Sequence, residues 1–125
     1  MFQTSRVYIQ IGRNKVTVVN LDTGAETSST ATEPFSTARS VLSKFSPANE
    51  TLLAALRDLG LKTSFFKLKA VIQQMENTEG GLTDIEKRAL RDLAEQAGAG
   101  RVYIVDGERR LSISEALAYI EGRVA

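Results

Sequence analysis

The chain has 125 residues, 42% hydrophobic and 25% charged, the profile of one compact soluble domain with a buried core and no room for a second. Sixteen Lys and Arg against fifteen Asp and Glu leave a formal charge of +1, so the basic surface that draws proteins to nucleic acid or acidic lipid is missing. Without cysteine or histidine the chain lacks thiol nucleophiles, disulfides, most zinc sites and the imidazole base, and any catalysis would rest on carboxylates, lysines or hydroxyls.

The opening stretch MFQTSRVYIQIG has no charged leader followed by a long apolar segment, and no apolar run approaches the roughly 20 residues of a membrane span. The expectation is a cytoplasmic protein without membrane contact. Val7, Ile9 and Ile11 alternate with Tyr8, Gln10 and Gly12, and Val16, Val18 and Leu21 follow across the turn Gly12-Arg13-Asn14-Lys15. This is the pattern of a hairpin with one face inward. Asp22-Thr23-Gly24 marks a second turn, and the polar, threonine-rich stretch 25–32 predicts an exposed third strand closed by Pro34.

Ser36 is suited to cap a helix whose inner face is Ala38, Val41, Leu42 and Phe45, with Ser46-Pro47 restarting or bending it as cap and first helical residue. Leu52, Leu53, Leu56 and Leu59 continue the stripe to Gly60, a C-terminal cap over which Leu61 folds back. FKLKAVIQQM, residues 66–75, has no helical stripe and predicts a buried strand, followed by a loop over ENTEGG. Thr83-Asp84-Ile85-Glu86 is a capping box, and Ile85, Ala89, Leu93 and Ala97 recur every four residues as far as Gly98. A last short strand over Arg101–Val105 and a helix opened by Ser112 or Ser114 and running through Ile120 complete the chain.

The order β-β-β-α-β-α-β-α predicts an α/β fold, a mixed sheet whose later strands are parallel and crossed by helices, arranged as in ribonuclease H-like domains, with residues 1–125 as a single domain. The segment LTDIEKRALRDLAEQAGAGRVYIVDG, with Thr83, Glu86, Arg88, Ala89, Ala97, Gly98 and Ala99 in step, resembles a helix-to-strand segment of the actin-like ATPase superfamily, the bacterial actin MreB and the heat-shock chaperone ATPases. Ile9 to Gly12 is similar to that superfamily's first phosphate hairpin. The resemblance covers the first subdomain only and implies a degenerate member. The family's hairpin aspartate is Gln10, the residue after the hairpin glycine is Arg13 rather than threonine, a Glu-Glu-Pro turn is replaced by Asp106-Gly107-Glu108, and the second glycine-rich phosphate loop is missing.

Magnesium prefers hard anionic oxygens, so a glutamine at position 10 argues against both an ATPase and a two-metal nuclease; the plain reading of Gln10 is a strand residue facing solvent. Gly12, Arg13, Asn14 and Lys15 form the candidate anion site, through turn amides and two cations, against the plain reading of a hairpin turn. Gly80-Gly81 before the capped helix could seat a phosphate, but Glu76, Glu79 and Asp84 oppose it and the pair reads as a flexible connector. Asp106, Glu108 and Glu76 are the carboxylates nearest the strand ends, where open α/β sheets bind ligands. No catalytic residue, metal ligand or cofactor is assigned. The expected function is a non-catalytic actin-like module acting through protein contacts. The resemblance implies as partner an actin homologue or a cell-shape or secretion scaffold, and an uncovered sheet edge implies a homodimer. The alternative is a weak nucleotide-binding switch or a divergent ribonuclease H-like nuclease.

Overall fold

A computed structural model describes residues 4–63 and 67–124. Eight elements follow in the chain: β1 (Ser5–Gly12), β2 (Lys15–Asn20), β3 (Glu26–Thr30), α1 (Phe45–Asp58), β4 (Leu68–Gln74), α2 (Asp84–Gln96), β5 (Ala99–Val105) and α3 (Ile113–Ile120). The strands form one mixed sheet in the order β3-β2-β1-β4-β5. β1 pairs antiparallel with β2 and β2 with β3, whereas β1, β4 and β5 run parallel. No helix among the described residues is long and apolar enough to cross a membrane.

Alternation along the strands divides the core in two. Val7, Ile9 and Ile11 of β1, Val16 and Val18 of β2, and Leu68, Ala70 and Ile72 of β4 face α1 and α2, whose Leu52, Leu56, Leu90 and Leu93 complete the larger core. Tyr8, Val19, Leu21 and Val71 face the other way and pack under α3, around Ala116. Period two puts successive side chains on opposite faces, so Gln10 and Thr17 share the α3 face with Tyr8 and Val19.

Local signals set most helix ends. Thr83 Oγ1 accepts from the Glu86 amide at 3.1 Å while Glu86 Oε1 accepts from the Thr83 amide at 2.9 Å, the reciprocal bonds of a capping box. Ser112 and Glu115 repeat this at the start of α3. After α1, Gly60 has φ +71°, its amide donates to the Arg57 carbonyl and that of Leu61 to the Leu56 carbonyl. Those two bonds make a Schellman motif that uses the last helical carbonyls.

Four expectations require correction. No helix begins at Ser36: residues 36–44 form an irregular segment, and the cap of α1 is Lys44, whose side chain makes no capping bond. Ser36 is instead tied to the hairpin, its amide donating to Asn14 Oδ1 at 2.8 Å and its Oγ accepting from the Asn14 amide at 3.0 Å. Ser46-Pro47 lies inside the first turn of α1, where the amide that proline lacks has no helical partner to lose. Ile85 is 82% exposed, because residues recurring every four drift by about 40° per step around a helix of 3.6 residues per turn; Leu90, Leu93 and Ala94 form the buried stripe. The last strand begins at Ala99, two residues earlier than expected, across an irregularity that pairs Leu68 with Ala99 but Lys69 with Arg101. The strand expected over 66–75 is β4; Phe66 lies outside the described residues.

Candidate functional site

The carboxyl end of β1 sits in the centre of the sheet, between β2 and β4. Here the registers align a row of polar residues across four strands: Gln73 beside Gln10, Gln10 beside Thr17, and Thr17 beside Ser28. All four belong to the face that carries α3, a helix of eight residues packed over Tyr8, Val19 and Val71.

Three members of the row have partners. Gln73 is 1% exposed; its Oε1 accepts from the Tyr8 hydroxyl, and its Nε2 donates to the carbonyls of Gly107 and Arg109, each at 2.9 Å. Tyr8 Oη also accepts from the Leu111 amide at 3.1 Å, so this network clamps the loop leading into α3. Burial pushes the Tyr8 phenol above its ordinary value of 10.0, against a smaller opposing effect of the Leu111 amide. Thr17 Oγ1 and Ser28 Oγ share a hydrogen bond of 2.8 Å.

Gln10 differs. It is only 6% exposed, which corrects the expectation of a solvent-facing strand residue, and its Nε2 is buried without a hydrogen-bond partner among the described residues. A buried primary amide in that state is uncommon in folded proteins. Above it opens a cleft of about 310 Å³ lined by Gln10, Gly12, Arg13, Lys15, Thr17, Met75 and Glu76.

The hairpin turn is not a vacant phosphate cradle. The Arg13 amide donates to Glu76 Oε2 at 3.0 Å, and a methyl group placed on Gly12 would lie 3.8 Å from the same oxygen. A carboxylate of the protein thus occupies the turn. Asn14, at φ +53°, accepts through Oδ1 from the amides of Phe35 and Ser36 at 2.9 and 2.8 Å. It anchors a loop and does not line the cleft, unlike the other three residues of the candidate site. The Arg13 guanidinium donates to the Thr37 carbonyl at 2.7 Å, and Lys15 is exposed at the mouth.

The second anion position is filled in the same way. Both carboxylate oxygens of Asp106 accept from the Leu82 amide, at 3.1 and 3.3 Å, beside Gly81. The first turn of α2 is closed by its own capping box. Glu76 and Asp106 therefore hold separate backbone amides, and among the described residues no three acidic side chains come together in a way that could hold a metal ion. The buried Tyr8–Gln73–Leu111 network escaped sequence reasoning; the run Gln73-Gln74, two amides ending a strand that is apolar apart from Lys69, is the one local sign of it.

The other feature of note is the outer edge formed by β3. Its pairing with β2 is bracketed by two bonds: the Asn20 amide donates to the Ala25 carbonyl and the Ala31 amide to the Asn14 carbonyl. Backbone groups of an antiparallel strand alternate in direction, so residues 25, 27, 29 and 31 point toward β2. The amides and carbonyls of Glu26, Ser28 and Thr30 point outward, away from the sheet.

Fold and site together define a mixed α/β protein with a neutral polar row at the carboxyl end of its central strand. No family model matches the chain. It is similar to "Uncharacterized protein YjaA" of Escherichia coli (strain K12), with 32% identity over 101 residues covering 76% of each protein, and it belongs to the same family as that protein.

Proposed function

We propose that this protein is a non-catalytic, cytoplasmic binding module of ribonuclease H-like topology that acts through protein contacts made at the free edge of β3. The sheet order β3-β2-β1-β4-β5, with a leading antiparallel meander and helix-crossed parallel strands, supports that topology. The observation that carries the function is the outward backbone of Glu26, Ser28 and Thr30 on the terminal strand of the sheet. An unpaired edge of this kind receives another strand through main-chain hydrogen bonds. A second copy, closing by two-fold symmetry, is the simplest occupant. The resemblance to one actin subdomain supplies an actin homologue as a further partner class.

The absence of catalysis in this reading is supported by chemistry at the sheet end. A glutamine stands on β1 in a row of amides and hydroxyls, and both amide clusters suited to phosphate carry Glu76 or Asp106 instead. Magnesium and a nucleotide would need anionic oxygens where these amides stand, and a vacant turn. Titration calorimetry with magnesium and ATP is expected to give no heat of binding. Low-micromolar affinity lost on Arg13→Ala or Lys15→Ala would favour the nucleotide-switch reading.

Strand pairing is tested by light scattering across concentration. The native chain is expected to dimerise, and Ser28→Pro or Thr30→Pro to abolish the dimer while keeping the β2–β3 ladder, since each removes an outward amide. A strict monomer, or a dimer indifferent to both prolines, would defeat the proposal.

A further inference from the structure

Where β3 receives a second copy, the reading on which this inference rests, the outward backbone groups select one alignment. A two-fold axis between antiparallel strands pairs each residue with the one equally far beyond the axis. Within β3 only Glu26, Ser28 and Thr30 point outward. All three are used in both copies only when Ser28 faces Ser28 of the second copy, which sets Glu26 against Thr30 and Thr30 against Glu26. Sliding one strand by two residues leaves an outward residue of β3 without a counterpart in β3, and a slide of four brings the two Glu26 carboxylates face to face. Like charges directly opposite oppose pairing, whereas a threonine hydroxyl can donate to a carboxylate. Glu26 is already neutralised within its own chain by Arg110.

The helix beside the edge suits the same axis. β3 and β4 both run parallel to β1, so α1, which leads from one to the other, runs back antiparallel to β3. Thr27 Oγ1 donates to Asp58 Oδ2 at 2.5 Å, and the groove between strand and helix is lined by Thr27, Ser28, Ser29, Ala54, Ala55 and Asp58. Four residues of helix rise about 6 Å and two of strand about 6.8 Å, so Ala54 stands level with Ser29 when Asp58 stands level with Thr27. An axis through Ser28 passes midway and sets the exposed Ala54 of each copy against Asp58 of the other. Because α1 packs over both β2 and β3, the two α1 axes then lie about two strand spacings apart, roughly 10 Å, the distance at which helices pack.

We propose that the occupant of the β3 edge is a second copy of this chain in a two-fold dimer centred on Ser28, with the α1 helices meeting through Ala54 and Asp58. The sheet continues across the antiparallel β3 pair, and the small side chain of Ala54 lets the two helices approach on one of its faces.

The chain contains no cysteine, so single introduced thiols report the alignment without background. Facing residues of a hydrogen-bonded antiparallel pair have Cα atoms about 5.5 Å apart, within reach of a disulfide. Under mild oxidation Ser28→Cys is expected to form a covalent dimer, while Glu26→Cys and Thr30→Cys, whose thiols would lie about 13 Å from their counterparts, stay uncrosslinked. Analytical ultracentrifugation of two variants at the exposed position 54 tests the helix contact. Ala54→Glu should dimerise at least about tenfold more weakly than Ala54→Lys, because the two-fold sets the new charge against Asp58 twice. Cross-linking at 26 or 30 instead of 28, a dimer that cross-links at none of the three, or equal dimerisation of the two Ala54 variants would overturn this arrangement while leaving association through another surface, the free edge of β5 included. A chain monomeric at every concentration would instead defeat the strand pairing itself, and this arrangement with it.

Discussion

Tyr8 shows at the level of one side chain how the α3 face is held together. Its hydroxyl joins β1 to Gln73 of β4 and to the Leu111 amide ahead of α3, all within a buried setting. Tyr8→Phe would leave the Gln73 oxygen and the Leu111 amide without this partner, at a cost of about 1–3 kcal/mol at neutral pH. The raised phenol adds a pH signature. Between the ordinary value of 10.0 and the higher folded one, the unfolded chain has released a proton that the folded chain retains. Protons bound by the folded form then exceed those of the unfolded form, so stability falls as pH rises through that window and is unaffected below it. Denaturant melts from pH 8 upward should show this decline in the native chain and a weaker one in Tyr8→Phe. Parallel declines would place the alkaline transition on another group.

Glu115 is the acidic counterpart at residue scale. The Arg109 guanidinium, followed by the Ser112 amide, holds its carboxyl down from 4.5 to about 2. A depressed folded value contributes stability above 4.5 that is lost as pH falls toward 2. The pair is surface-exposed, at 72% and 42% for the two side chains, so salt weakens its effect. The contribution is small beside that of the buried network.

Among the elements, α2 is the one whose two ends are most firmly specified. Thr83→Ala should cost about 1 kcal/mol through loss of the capping bond, read as a lower denaturant midpoint with no change in dimerisation. At the other end Gly98 has φ +113°, and a methyl group there would sit 2.7 Å from the Thr63 carbonyl carbon. Gly98→Ala should therefore cost more than about 2 kcal/mol, combining backbone strain with a clash against main chain that cannot rotate away. A melting midpoint within error of the native chain would show that the segment at Thr63 yields.

These same elements mark what could be read from the sequence. The capping box at Thr83 and the Gly60 cap were legible because each is closed by residues within a few positions of one another, whereas the start of α3 was narrowed only to Ser112 or Ser114 and the structure places it at Ser112. The succession of strands and helices followed from periodicity for the same reason. Ser36 was misread because a capping serine looks alike wherever it stands, and its actual partner, Asn14, lies 22 residues away. Gln10 was misread because alternation assigned it to the less apolar face, and nothing local reveals that this face is also covered. Occupation of the turn by Glu76 depends on where β4 ends relative to β1, a matter of register across the parallel pair.

At the scale of the whole molecule, helices pack on both faces of the sheet, and among the described residues its two terminal strands, β3 and β5, each leave one edge unpaired, the edge of β3 being the one proposed to make the contact. The polar composition of β3 and its length of five residues keep that edge from pairing indiscriminately, while its outward amides remain able to form a ladder. Amide hydrogen exchange of β3, measured residue by residue at low and high protein concentration, examines this claim most directly. The account predicts that the amides of Ser28 and Thr30 gain protection as concentration rises, while those of Thr27 and Ser29, already bonded to β2, do not change. Outward amides that exchange freely at every concentration, or protection that appears only on the helices, would contradict it.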